Sequence, residues 1–295
     1  MSEVAIDFPK ITIIGFGEAG HAIASGWGPL PRERVRTYDL KLTDPQAGAL
    51  VLERCTEAGV TPVPDQARAL AGSDIVFSLV TADQALEAAR AAAPHLPAGA
   101  FWLDCNSCAP QTKQQAAELV AAAGGRYVDV AVMAPVYPKQ HQVPLLLAGP
   151  HAAEAAILIE RIGMRPNVTG SKIGDASSVK MLRSVIIKGL EALTTECMLA
   201  ARRAGVEDAV LASLQASDPG FDWRSRSAYN LERMMVHGAR RAAEVEEVCA
   251  TLRAFGLPDW MSQGTVEWQR SVSRLGVSPG DDDLTRRCDA VLDKI

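Results

Sequence analysis

The feature that most restricts the fold is the glycine run in KITIIGFGEAGHAIASGW, residues 10–27. A strand-like apolar stretch, 11–14, stops at Gly15, and Gly17 and Gly20 follow at once. Residues 18–27 carry a helical pattern, and a second β-rich run, 35–39, ends in Asp39. In a dinucleotide site the first glycine makes the turn, the second admits the pyrophosphate, and the third lets helix and strand pack closely. The helix start then offers free N–H groups to the phosphates. Asp39 stands 24 positions after Gly15, where a carboxylate can accept hydrogen bonds from a ribose. The glycines alone would suit any strand-to-helix loop, but strand, helix, second strand and acid in this order specify a dinucleotide site. Its expected contacts are Gly15, Phe16, Gly17, Glu18, Ala19, Gly20 and Asp39, with Val80 and Thr81 at the end of a later strand. Glu18 is negative beside an anion site, yet suits a helix N-terminus. Asp39 favours NAD, while Arg36 and Lys41 flank it and could serve a 2′-phosphate, so NADP stays open.

From residue 10 to about 170, β-rich runs at 11–14, 35–38, 75–80, 100–104, 127–132 and 145–148 alternate with helical stretches such as 82–93 and 110–123. That alternation predicts an α/β Rossmann domain, its mostly parallel sheet covered by helices on both faces. After Gly170 the strand signal ends. Asp175 can cap a helix running to about Arg203, some 40 Å at 1.5 Å per residue. Further helical text covers 207–215, 227–255, 261–275 and 284–292, broken by Gly and Pro. The expected division is therefore 1–170 for the dinucleotide domain and 171–295 for an all-α C-terminal domain.

The formal charge of −5 argues against a nucleic-acid partner, which would need a concentrated basic patch. No stretch reaches the roughly 20 apolar residues of a membrane span, and no secretion signal is evident. A cytoplasmic protein is expected. Cys105 and Cys108 form a CxxC, but no second pair or histidine follows at zinc-site spacing. Reduced thiols and no metal are expected there. His21, His95, His141 and His151 show no ligand spacing and are assigned no role.

The predicted long helix carries a polar stripe. Lys180, Arg183, Ser184, Lys188, Glu191 and Thr195 fall within an arc of about 140° at 100° per residue, on a mostly apolar helix. A solvated face would explain the stripe. Its place just after the domain junction points instead to a ligand cleft, with Lys180 as the catalytic candidate. His237, Arg240, Arg241 and Glu244 share another helical face, which solvation explains equally well. Trp223 and Tyr229 are expected in core or interface.

The glycine fingerprint, DCNSCAP at 104–110, VDVAV at 128–132 and GDASSVK at 174–180 occur in an order that resembles the β-hydroxyacid dehydrogenases. The resemblance covers almost the whole chain, and MLRSVIIKGLEAL and HGARRAAEVEEV mark a separate branch. It implies a Rossmann domain, a long interdomain helix, a helical C-terminal domain and a homodimer or homotetramer. It also implies that Lys180 is the catalytic lysine and that Asn106 and Ser107 lie near the nicotinamide. The family's asparagine four residues after the lysine is Ser184 here, with Arg183 before it. Its Ser-Gly-Gly substrate loop is Met133-Ala134-Pro135, and Pro135 has no N–H to offer a carboxylate. Met133, Ala134, Arg183, Ser184, Lys188 and His237 are the substrate-side candidates.

These observations predict an NAD(P)-dependent oxidoreductase acting on a small-molecule alcohol or its carbonyl partner, a hydroxy acid or a related compound. Lys180 would be the general acid and base, with a pKa lowered by burial and by Arg183 and Lys188. An imine reductase-like enzyme and a non-catalytic dinucleotide-binding regulator are the alternatives.

Overall fold

The computed structural model describes residues 8–28 and 34–295. The chain divides into two compact units, one ending at Lys180 and the other beginning at Met181.

The first unit holds one eight-stranded sheet. Its strands are β1 (Ile11–Ile14), β2 (Val35–Tyr38), β3 (Thr61–Pro62), β4 (Ile75–Ser78), β5 (Phe101–Asp104), β6 (Arg126–Val132), β7 (Pro144–Ala148) and β8 (Arg165–Gly170). They lie in the order β3-β2-β1-β4-β5-β6-β7-β8, all pairs parallel except β6 with β7. The order reverses between β1 and β4, and in open α/β sheets ligands bind beyond the strand ends at such a switch point. Alternate residues feed different cores. Ile13, Phe77 and Leu103 belong to one apolar cluster, while Val76, Trp102 and Tyr127 belong to another. Both faces are thus buried, as a parallel sheet requires.

The helices of this unit are α1 (Glu18–Gly26), α2 (Pro45–Ala58), α3 (Gln66–Leu70), α4 (Ala85–Ala92), α5 (Pro110–Ala122), α6 (Ala152–Glu160) and the start of α7 (Asp175–Arg203). Helix α2, absent from the expected elements, has complete signals: the Asp44 side chain caps it, Pro45 opens it, and Gly59 ends it at φ +68°. Strand β8 was also not anticipated. It is an edge strand, mostly exposed, of sequence RPNVTG. An edge position needs no apolar alternation, so the sequence carries none.

One expectation is corrected at the start of α7. Asp175 lies within the helix, and its carboxylate accepts the Lys172 N–H. The helix start is capped from a distance instead. Asp129 of β6 accepts the Gly174 N–H at 3.1 Å, the Ser177 N–H at 3.0 Å and the Ser177 hydroxyl at 3.0 Å.

The second unit contains the rest of α7 with α8 (Glu207–Ser217), α9 (Trp223–Ala254), α10 (Trp260–Arg274) and α11 (Leu284–Leu292). Met198, Leu231, Met234, Val272 and Cys288 share one of its cores. Gly238 lets α9 and α10 approach closely, since a Cβ there would collide with the Gln269 carbonyl.

Candidate active site

The three opening glycines stand in three different environments. Gly15 has φ +88°, and a Cβ there would lie 2.6 Å from the Leu79 carbonyl oxygen. Only glycine suits that turn. At Gly20 a Cβ would come within 2.8 Å of the Gly15 carbonyl, so its absence lets α1 close on β1. Gly17 is the opposite case. Among the described residues nothing lies within 4 Å of its virtual Cβ, and its φ is −76°. Neither packing nor backbone geometry needs glycine there, whereas a phosphate resting on the backbone would. This open cradle at the start of α1 fits a dinucleotide pyrophosphate.

The ends of β1, β2, β4 and β5 are tied together around that cradle. Asp39 Oδ2 accepts the Phe16 N–H at 2.8 Å, and Oδ1 accepts the Lys41 N–H at 2.9 Å. The acid is thereby fixed beside the glycine loop with lone pairs still available to a ribose. Arg36 points elsewhere: its guanidinium donates to the Arg68 and Ala71 carbonyls. Lys41 is exposed next to Asp39. Val80 donates its N–H to Asn106 Oδ1 at 2.7 Å, and Thr81 is exposed beyond it. The Asn106 amide in turn donates to Ser78 Oγ at 2.9 Å and Asp104 Oδ1 at 2.8 Å. Asn106 therefore clamps two strand ends together. Glu18 and Ala19 open α1, with Glu18 exposed.

From Phe101 to Pro110 every residue is buried except Ser107. Lys180, on the second turn of α7, donates to Ser107 Oγ at 2.6 Å. The structure thus brings together the lysine and the serine singled out in the sequence. Cys105 and Cys108 flank this serine as buried thiols outside any disulfide. Burial pushes the Cys105 thiol up to about 12, so it stays a neutral, weakly nucleophilic group at neutral pH.

A buried ionic cluster, not found by sequence reasoning, lies in the same loop region. Lys113 of α5 is wholly buried and donates to the Asp104 carbonyl at 2.5 Å and to Asp104 Oδ1 at 2.9 Å. Its ammonium also lies 3.5 Å from Asp129 Oδ1. The Tyr127 hydroxyl donates to Asp104 Oδ2 at 2.7 Å. Burial opposes the Lys113 charge, but Asp104, Cys108 and Asp129 override it and hold the ammonium above its ordinary range. Burial first, then Asp104, pushes the Tyr127 phenol up. The sequence did carry a signal. Lys113, Ala116, Ala117 and Val120 are all buried at i, i+3, i+4 and i+7, so the lysine interrupts an apolar stripe.

Met133 and Ala134 follow β6, both partly buried, and Met133 donates its N–H to the Pro144 carbonyl. The loop beyond them meets α1 through His21, a histidine assigned no role in the sequence. Its Nδ1 lies 3.0 Å from Tyr137 Oη, and its Nε2 3.1 Å from Glu57.

The polar stripe of α7 divides. In the second unit Ser184, Lys188, Glu191 and Thr195 are buried, while Arg183 is exposed. Lys188 lies 2.7 Å from Glu244, which Arg240 also reaches at 3.2 Å. Arg241 grips both oxygens of Glu191, and Gln269 donates to the same carboxylate at 2.8 Å. Burial draws the Lys188 pKa down, against the opposing pull of Glu244. His237 is partly buried on α9. The face of α9 that carries Arg241 and Glu244 is neither plain solvated surface nor an open ligand site, because it packs ion pairs against α7. Trp223 packs partly buried against the helical core, and Tyr229 is exposed between Arg226 and Arg233.

Residues 10–157 match the NAD-binding domain of 6-phosphogluconate dehydrogenase, and residues 201–272 match a domain of unknown function, DUF1932. A conserved hypothetical protein from Sinorhizobium meliloti is 39% identical, with 98% of this chain and 97% of that one covered and a TM-score of 0.78. A conserved protein of unknown function, described as structurally similar to 3-hydroxyacid dehydrogenases, is 30% identical over 97% of this chain and 99% of its own, TM-score 0.70. A Mycobacterium tuberculosis 3-hydroxyisobutyrate dehydrogenase solved with L-serine shares the fold at 13% identity, with 96% and 99% covered and a TM-score of 0.72. Domain and neighbours together define the class, an NAD(P)-dependent oxidoreductase. The chain belongs to the β-hydroxyacid dehydrogenase superfamily, with the 6-phosphogluconate dehydrogenase type of NAD-binding domain and a DUF1932 helical region.

Proposed function

We propose that the protein is a dehydrogenase or reductase that interconverts a small alcohol, a hydroxy acid or related compound, and its carbonyl partner. The observation that carries this reading is the 2.6 Å hydrogen bond from Lys180 to Ser107 Oγ in the loop after β5. A bound nicotinamide dinucleotide supplies or accepts the hydride. Gly17 and the start of α1 receive its pyrophosphate, and Asp39 receives the adenosine ribose, which favours NAD over NADP. Lys180 takes the hydroxyl proton in oxidation and returns it in reduction, and Ser107 holds the same oxygen in line. The loop at Met133-Ala134-Pro135 offers fewer backbone donors than a Ser-Gly-Gly loop, so part of the substrate's binding must come from side chains.

Leu182, Ile186 and Leu193 are exposed along one face of α7, which supports self-association as a homodimer or homotetramer. Among the described residues no helix is long and apolar enough to cross a membrane. We place the enzyme in the cytoplasm.

The test is a panel of hydroxy acids, alcohols, carbonyls and cyclic imines, with NADH and NADPH absorbance as the readout. Turnover of a hydroxy acid or its oxo partner is expected. Turnover confined to imines would make the protein an imine reductase. Tight dinucleotide binding with no turnover across the panel would make it a binding protein.

A further inference from the structure

The Lys180–Ser107 pair joins two segments far apart in sequence, and each segment leads back to the same buried group. Ser107 sits in the loop that leaves β5 at Asp104. Lys113 holds that departure point twice, through the Asp104 carbonyl and through Oδ1. The same Oδ1 accepts the backbone N–H of Asn106 at 3.0 Å and its side-chain amide at 2.8 Å, which fixes the residue next to Ser107. Lys180 sits on α7, one turn beyond Ser177. Asp129 holds that first turn through the Gly174 and Ser177 N–H groups and the Ser177 hydroxyl. The other Asp129 oxygen faces the Lys113 ammonium at 3.5 Å.

We infer that Lys113 is a positioning residue: one buried ammonium anchors both partners of the Lys180–Ser107 hydrogen bond, through Asp104 on one side and Asp129 on the other. A core role alone does not account for it. An apolar side chain of similar volume usually serves a core as well as a buried ion pair does. Lys113 also lies in the first turn of α5, where a positive charge opposes the helix dipole. What the ammonium adds is direction. It draws Asp104 and Asp129, on neighbouring strands β5 and β6, towards one point, and the start of α7 follows Asp129.

The consequence for turnover rests on the assignment of Lys180 as the proton-transfer group, so the test reads Lys180 without a substrate. Brief acetylation with acetic anhydride, quantified peptide by peptide in the mass spectrometer, gives the rate at Lys180 relative to exposed Lys294. In Lys113→Met the relative rate at Lys180 should rise about fivefold, the equivalent of one lost hydrogen bond. Lys113→Met also leaves two buried carboxylates without their cation and can lower stability. Asp104→Asn/Lys113→Met reduces that imbalance. If Lys113 only balanced charge, the double variant would label Lys180 at the wild-type rate. If it positions the pair, labelling stays raised although the fold is restored. Ser177→Ala keeps Lys113 and weakens only the last link, so it should raise labelling about twofold, and it decides the matter should neither lysine variant fold. Wild-type labelling of Lys180 in the folded variants overturns the inference. The two claims fail separately: labelling that moves in a protein with no turnover refutes the dehydrogenase assignment alone, whereas unmoved labelling in an enzyme that needs Lys180 refutes the role of Lys113 alone.

Discussion

The two ends of α7 carry the same kinds of side chain in two different settings. At its start, in the first unit, Lys180 donates to the Ser107 hydroxyl, and Gly17 of the same unit has none of the described atoms within 4 Å of where a Cβ would stand. Further along, in the second unit, Lys188 is met by Glu244, and Glu191 is gripped by Arg241 and Gln269. In the first region the Gly17 backbone is left uncovered by the described residues. In the second, cations and carboxylates close on one another and join α7 to α9 and α10. A polar stripe on a buried helix is therefore two features in succession, a lysine–serine hydrogen bond at one end and a seam of ion pairs further along. Substitutions in the first region should change binding or turnover and spare stability, and substitutions in the second should do the reverse.

The largest effect is expected at Gly17. Gly17→Val should fold, because φ is negative and no atom of the described residues lies within 4 Å of the new Cβ. Its branched side chain fills the cradle, so NADH affinity, read by nicotinamide fluorescence, should drop at least about a thousandfold, or about 4 kcal/mol. Normal NADH binding by the folded variant would reduce the glycines to an ordinary loop. Glu191→Ala tests the seam. It takes from Arg241 the carboxylate that both its hydrogen bonds reach and should cost about 3 kcal/mol in urea unfolding, within the range for breaking a buried pair, with NADH affinity little changed. A variant as stable as wild type would mean that these charges are incidental. Asp39 gives the smallest effect. NADH should bind at least about tenfold tighter than NADPH, about 1.4 kcal/mol, and Asp39→Ala should narrow that gap. A tenfold preference for NADPH would remove Asp39 as the ribose ligand.

What the sequence revealed depended on how local the cause was. Strand, glycines, helix and acid lie within 30 residues, from Lys10 to Asp39, and each has its own physical signature, so the cradle was legible. That Lys180 lies on the long helix α7 was legible from the apolar pattern of that stretch. Helix α2 was equally readable, since Asp44, Pro45 and Gly59 mark both its ends. Strand β8 was not, because an exposed edge strand needs no apolar alternation. The fate of Lys188 and Glu191 depended on which residues of α9 and α10 would face them, and helical periodicity cannot say. The Asp129 cap was hidden for the same reason. Its partners Gly174 and Ser177 are 45 and 48 residues away in sequence. Lys113 was half visible, as a lysine interrupting an apolar stripe, but its two carboxylate partners come from two strands that only the sheet order brings side by side.

The central claim is that Lys180 moves the proton. Its most direct test is steady-state turnover of Lys180→Ala on the substrate the panel identifies, with NADH affinity measured on the same preparation. The expected result is a fall in turnover of about 10²–10⁴, the usual contribution of a positioned acid or base, with NADH affinity retained. Lys180→Arg should recover little, because a guanidinium stays protonated and cannot serve as a base. A Lys180→Ala enzyme that kept more than about a tenth of wild-type turnover, well above the range for losing an acid or base, would contradict the claim and place the proton donor elsewhere.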